Sequence, residues 1–248
     1  MTGAERITVA CLDLAGTTLA DGDAVETAFA EAVATVGVVP GTAAHARAMA
    51  RVREFRGRRK IEVFRALFAG DEARAQAANL AFERSYDLVV DRRGLAPVPG
   101  AEAALDRLAE VGVRICVLTG FSRRTLGRVL DALGWWGRVD LALCPEDTGS
   151  GRGRPYPDMI LSAALRLGVD DVRHIAVCGD TENDILSGRR AGASVVAGVL
   201  TGAHSEDRLR SAGATHILGS VEEFPGLFLP APSASAATGP AASASPAP

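Results

Sequence analysis

Along the chain, short and continuously apolar runs alternate with longer stretches in which apolar residues return every three or four positions. The runs at 6–13, 113–118, 139–143, 173–178 and 194–199 are rich in Val, Ile, Leu and Ala, with little polar alternation. Strands buried on both faces have this pattern, and such strands belong to parallel sheets. A shorter run at 215–218 predicts a last strand. Amphipathic stretches at about 100–111, 122–133, 156–167, 182–191 and 205–212 follow the runs and predict helices. The regular succession predicts an α/β fold, a doubly wound parallel sheet with helices on both faces.

The segment 22–96 breaks this rhythm. It holds no convincing strand and predicts helices at about 23–36, 43–56, 59–69 and 71–91. The expected plan is an α/β core formed by 1–21 and 97–229, with an all-helical domain inserted at 22–96. Hinges are expected at 20–22 and at 94–100, the latter rich in Pro and Gly. Sites in open α/β sheets lie at the carboxyl ends of the strands. An insertion leaving the end of the first strand would hang over that site as a lid. Residues 230–248 contain only Ala, Ser, Pro, Gly and Thr. They cannot bury enough apolar surface to offset their ordering entropy and are expected to be disordered.

Composition narrows the function. At 248 residues and 48% hydrophobic, the chain can fill a core. A net charge of -3 gives no global field suited to nucleic acid or an anionic membrane. No run approaches the ~18 apolar residues of a membrane span. The first residues lack the basic and apolar regions of a signal peptide, so a cytoplasmic location is expected. Cys11, Cys116, Cys144 and Cys178 are scattered without a CxxC pair, which points to buried thiols rather than disulfides or zinc. Of the 27 basic residues, 26 are arginine, and Lys60 is the only lysine. A guanidinium cannot do covalent amine chemistry, so the one remaining amine stands out.

Chemistry-bearing residues fall at the strand ends. Asp13 closes the first run, Thr119-Gly120 the second, Arg154 precedes the helix near 156, and Asp180 with Asp184 follows the run at 173–178. Each alone is an ordinary turn or helix-start residue. Together they set a carboxylate, a hydroxyl, a cation and an acidic pair at successive strand ends of one sheet. Two carboxylates four positions apart can converge on one hard cation.

This order resembles the haloacid dehalogenase superfamily, over the whole length apart from the last residues. Asp13-Leu14-Ala15-Gly16-Thr17-Thr18, Gly153-Arg154-Pro155-Tyr156-Pro157 and Gly57-Arg58-Arg59-Lys60-Ile61-Glu62 are similar to its phosphonatase-like hydrolases, the group around phosphonoacetaldehyde hydrolase. The resemblance implies a nucleophile at Asp13 that forms an aspartyl phosphate. It implies Mg2+ held by Asp13, the main-chain oxygen of Ala15, Asp180 and Asp184. Thr17, Thr119 and Gly120 would bind the phosphoryl group, Arg154 would neutralise it, and Lys60 would form a Schiff base. The substrate would be a small phosphonate or phosphate, and the resemblance permits a homodimer through the cap helices.

Two positions bear on the reaction. Related phosphatases carry a proton-donating Asp where Ala15 stands, and an ester hydrolase without it would forgo about 10²–10⁴-fold of acid catalysis. A C–P bond breaks heterolytically only if the charge developing on carbon is delocalised, which an iminium on Lys60 would do. Arg51, Arg53, Arg56, Arg58 and Arg59 precede that lysine. Their charge disfavours its ammonium form and attracts a dianion. Against the resemblance, the group's histidine, cysteine, tyrosine and methionine around the aldehyde are here Val63, Asp23, Phe121 and Arg56. Arg56 and Asp23 then become candidates for reading a polar substrate arm, and Glu62 for a water-activating base. Three functions remain in view: a C–P hydrolase, a phosphate-monoester hydrolase or phosphomutase, and an inactive binding protein. A dehalogenase would leave Asp180 and Asp184 without a task. RNA binding by the basic run lacks interleaved aromatics other than Phe55.

Overall fold

The computed structural model describes residues 6–20 and 23–229. The expected disordered segment 230–248, and residues 21 and 22 of the first expected hinge, lie outside the described residues. In chain order the elements are β1 (Val9–Asp13), the two-residue β2 (Leu19–Ala20), helices α1 (Ala24–Thr35), α2 (Ala43–Glu54), α3 (Lys60–Leu67) and α4 (Glu72–Arg93), and the two-residue β3 (Ala96–Pro97). Then come α5 (Ala101–Glu110), β4 (Arg114–Leu118), α6 (Arg123–Leu133), β5 (Leu141–Leu143), α7 (Asp158–Arg166), β6 (Ile175–Gly179), α8 (Glu182–Ala191), β7 (Val195–Val199), α9 (Glu206–Ser211) and β8 (His216–Leu218). Every strand and helix expected from the apolar pattern is present, with ends moved by a residue or a few.

Six strands form one parallel sheet in the order β5-β4-β1-β6-β7-β8. Counting only these six, the order is that of a Rossmann fold, which reverses direction between β1 and β6. Alternation along β1 explains the layering. Ala10 and Leu12 face one core with Leu105, Leu108 and Leu126, while Val9 and Cys11 face a second core with Met159, Ile160 and Ile185. Each fully buried Leu or Ile contributes about 1.5–3 kcal/mol. All four cysteines are free and buried, as their apolar surroundings predict. Among the described residues, no helix is long and apolar enough to cross a membrane.

Helices α1–α4 form an all-helical cap over the carboxyl ends of the strands. Its interior is an aromatic cluster: Phe29 lies 5.1 Å from Phe64 and 4.7 Å from Phe82, ring centre to ring centre. The chain of rings runs on through Tyr86 to Phe121 of the core, 4.9 Å away, so cap and core share one apolar cluster. The connections into and out of the cap differ from expectation. They pair as an antiparallel ribbon, Leu19 opposite Pro97 and Ala20 opposite Ala96. Two-residue strands carry no periodicity, so the apolar pattern did not signal them.

Candidate active site

Asp13 is the last residue of β1, opposite Leu118 of β4. Beyond it the chain turns on Leu14, whose carbonyl accepts the amides of Thr17, Thr18 and Leu19. The Thr18 hydroxyl donates to the Asp13 carbonyl at 2.8 Å, which fixes the turn. Gly16 has φ 91°, and a Cβ there would lie 2.6 Å from Asp180 Oδ2. Only glycine meets both demands. Asp180 follows β6, on the other side of the sheet's reversal point. Asp184 enters with α8, whose first turn is a capping box: the Thr181 hydroxyl accepts the Asp184 amide, and the Asp184 carboxylate accepts the Thr181 amide at 3.0 Å.

These elements bring one oxygen each from Asp13, Asp180 and Asp184 within 4.8 Å of one another. The three side chains are 6%, 3% and 3% exposed. Arg154, on the turn before α7, is equally buried and donates to Asp13 at 2.5 Å and to Asp184. One guanidinium among three buried carboxylates leaves the cluster electrically unbalanced. Burial pushes the Asp13 carboxyl up to about 6, Arg154 opposing and Asp184 adding to the rise. Asp180 is pushed well above the ordinary carboxylate range, by burial first and then by the charges of Asp13 and Asp184. Burial works against the charge of Arg154, but Asp13 and Asp184 outweigh it and raise its pKa.

A closed group of buried carboxylate oxygens with excess negative charge fits a hard divalent cation such as Mg2+. Asp13, Asp180 and Asp184 would hold it.

A cavity of about 40 Å³ adjoins this cluster, and Asp13, Ala15, Thr119, Gly120, Arg154 and Asp180 form its floor. Its cap side is apolar, with Val25, Phe29, Val52, Phe55 and Val63, and carries Arg56, Arg58 and Lys60. Lys60 opens α3, and its Nζ lies 4.8 Å from the centre of the Phe121 ring. The segment 56–58 is pressed against the core. The Asn183 side chain donates to the Arg56 carbonyl at 2.7 Å, a Cβ on Gly57 would meet Thr181 Oγ1 at 2.4 Å, and one on Gly120 would meet the Arg58 carbonyl at 2.5 Å.

Most of the expected residues thus meet at one place; four have other surroundings. Thr17 is fully buried beneath the carboxylates, its hydroxyl 3.5 Å from Asp13 Oδ2 and from Asp180 Oδ1, and it does not line the cavity. Its hydroxyl is thus placed to donate to one of the two acids. Asp184 also stands behind the cavity lining, joined to it by Arg154. Asp23 is exposed and pairs with Arg93 at 2.7 Å, away from the cavity. Glu62 lies on α3 but outside the cavity lining, its carboxyl raised by burial against the pull of Arg59, Arg58 and Arg65.

The segment after β7 supplies contacts that the sequence did not announce. The Ala203 amide donates to Asp180 Oδ2 at 2.7 Å, and the Thr201 hydroxyl donates to the Gly16 carbonyl at 2.7 Å. A Cβ on Gly202 would overlap Asp180 Oδ2 at 2.0 Å. His204 accepts the Glu182 amide at 2.9 Å on Nδ1, and burial lowers its pKa, with Arg208 adding to the effect.

Comparison with known proteins agrees with this architecture. A family model for haloacid dehalogenase-like hydrolases matches residues 7–192, and the chain belongs to that family. Phosphonoacetaldehyde hydrolase of Bacillus thuringiensis (strain Al Hakam) is 34% identical over 111 residues, which are 44% of this chain and 41% of that protein. In that alignment the chain spans about two fifths of its relative's length. Among solved structures, a phosphonoacetaldehyde hydrolase-like protein from Oleispira antarctica superposes with a TM-score of 0.75 at 24% identity, covering 92% of this chain and 95% of that one. A hydrolase from Pseudomonas syringae gives 0.76 at 22% identity, covering 89% and 97%. At these identities the two structures speak to the fold.

Proposed function

We propose that this hydrolase cleaves the C–P bond of a small carbonyl-bearing phosphonate, with Asp13 as nucleophile and Lys60 as Schiff-base residue. The observation that carries the reading is that Lys60 and Asp13 line one cavity in which Ala15 occupies the proton donor's position. The core would comprise 1–21 and 97–229 and the cap 22–96.

In the proposed sequence the Lys60 amine condenses with the substrate carbonyl, takes up one proton and releases water, leaving an iminium. An oxygen of Asp13 then attacks phosphorus. The P–C bond breaks, its electron pair passes into the iminium, and an enamine leaves without needing a proton from position 15. Water hydrolyses the aspartyl phosphate to phosphate and free Asp13. The enamine takes up a proton and is hydrolysed to the carbonyl product and Lys60.

Asp13, Asp180, Asp184 and the main-chain oxygen of Ala15 would hold Mg2+, which when bound offsets the repulsion between carboxylate and phosphonyl dianion. Arg154 carries a charge that is never lost and would bind phosphonyl oxygens, together with Thr119 and the Gly120 turn.

The test is borohydride reduction in the presence of phosphonoacetaldehyde and related phosphono-ketones. A substrate-dependent mass adduct on Lys60 is expected, and Lys60→Arg, which keeps the charge but not the amine, should abolish turnover. Normal turnover with no adduct would sink the imine. One observation favours a second reading, a phosphate-monoester hydrolase or phosphomutase: Val63 puts a methyl-bearing wall where proton transfers around an imine need a polar group. That reading requires phosphate-ester turnover to survive Lys60→Ala.

A further inference from the structure

Two arginines reach the cap side of the cavity, and they differ in their partners. Arg56 lies 3.6 Å from Glu26, a carboxylate that also accepts two hydrogen bonds from Arg53. Among the described residues, no carboxylate lies within salt-bridge distance of Arg58. Its Nε is buried without a hydrogen-bond partner, and its guanidinium lies 4.6 Å from the centre of the Phe55 ring, on the apolar cap wall. Stacking on an aromatic ring orients a guanidinium but satisfies none of its N–H donors in the plane. Arg58 thus lines the cavity as a part-buried cation with an unsatisfied donor and no carboxylate paired to it, although its charge reaches Glu62, and such a cation is placed to take an anionic ligand group.

We propose that Arg58 binds a carboxylate on the substrate, on the side of the carbonyl away from phosphorus. This rests on the reading above, in which phosphorus sits at Asp13 and the carbonyl at Lys60. The substrate class is then a short phosphono-oxo acid rather than a simple phosphono-aldehyde. A guanidinium suits this task because its planar fork matches the two carboxylate oxygens.

Binding without turnover tests the site. Calorimetry on the full chain with Mg2+ compares phosphonopropionate, which has the terminal carboxylate, with propylphosphonate, which lacks it. The carboxylated ligand is expected to bind ~10- to 100-fold more tightly. Arg58→Met should bring the ratio to within ~3-fold, and Arg58→Lys should leave it intermediate. Arg53→Met, which removes an exposed arginine of the same basic run, should leave the ratio unchanged. A ratio near one in the native protein, or a ratio that survives Arg58→Met, would overturn the proposal. Equal loss of both ligands in Arg58→Met and Arg58→Lys, in variants that melt like the native protein, would place Arg58 at the phosphonyl group and overturn it too. Neither ligand has an aldehyde or ketone group, so the result does not depend on imine formation at Lys60. A sound carboxylate preference without a borohydride adduct would retire the imine and leave the Arg58 site standing.

Discussion

At Asp180 the requirements of function and of stability oppose each other. Its carboxylate accepts the Ala203 amide but is buried with Asp13 and Asp184, and Arg154 pairs with those two rather than with it. The folded state therefore favours protonated Asp180, and it also holds a proton on Asp13 up to about pH 6. An unfolded chain releases both near pH 4. Because the folded form binds more protons, the stability of metal-free protein should fall as pH rises from about 4 through 6 and beyond. Asp180→Asn keeps an acceptor for Ala203 and removes the charge. It should stabilise metal-free protein at pH 7 by about 1–2 kcal/mol, or ~2–8 °C in Tm, with little gain near pH 4. Mg2+ requires deprotonated ligands, so it should raise the native Tm more at pH 7.5 than at pH 5, and should raise that of Asp180→Asn little. Scanning calorimetry in chelator and in Mg2+ measures both; equal Mg2+ shifts at the two pH values would contradict the assignment. The acids and Arg154 stood out in the sequence because side-chain chemistry at a strand end is a residue-type signal, and Lys60 because it is the only lysine. The Ala203 amide was not, since a backbone donor leaves no mark on residue identity. Asp23 was misplaced because spacing from Asp13 along the chain does not say which way a side chain faces at the start of a helix.

Elements were legible wherever burial imposed a period. Among the described residues, the six core strands and nine α-helices follow from runs and amphipathic stretches, and their succession along the chain from strand–helix alternation. The seam between cap and core was not legible, because it is made of close backbone approaches at glycines rather than of a pattern. Gly120 has room for no side chain under the Arg58 carbonyl, and Gly57 combines φ 81° with contact on Thr181. Gly120→Ala should push the segment 56–59, with Lys60 behind it, off the strand ends. An overpacked contact of this kind costs about 1–3 kcal/mol, and a small displacement of reacting groups costs on the order of 10²-fold in rate. The expected outcome is a ~10²-fold loss in kcat/KM in a protein that still folds, with Mg2+-induced stabilisation retained because the three acids are untouched. Loss of the Mg2+ response as well would show that the seam supports the acidic cluster and not only the cap.

For the molecule as a whole, the cavity lies between cap and core, with Val25, Phe29, Val52 and Phe55 on one side and Asp13, Thr119 and Asp180 on the other. Lifting of the cap from the core would widen the way to it. Besides the seam, the contact between α4 and α6 resists this. Arg124 pairs with Asp87, and Arg128 pairs with Asp87 at 3.3 Å and with Asp91. Arg124 and Asp91 are largely exposed, so each pair should add under ~1 kcal/mol to stability. Their effect falls instead on the opening equilibrium, where ~1 kcal/mol is about a fivefold change in population. Raising ionic strength from 0.05 to 0.5 M shortens the screening length to a few ångströms and weakens the pairs. Amide exchange across 56–60 should then quicken ~3- to 10-fold in the native chain, while exchange in β1 and β6 stays unchanged. The double variant Arg124→Ala, Arg128→Ala should exchange rapidly at both salt concentrations. If its exchange still responded to salt as the native chain does, other charges would govern the opening and these helix pairs would not.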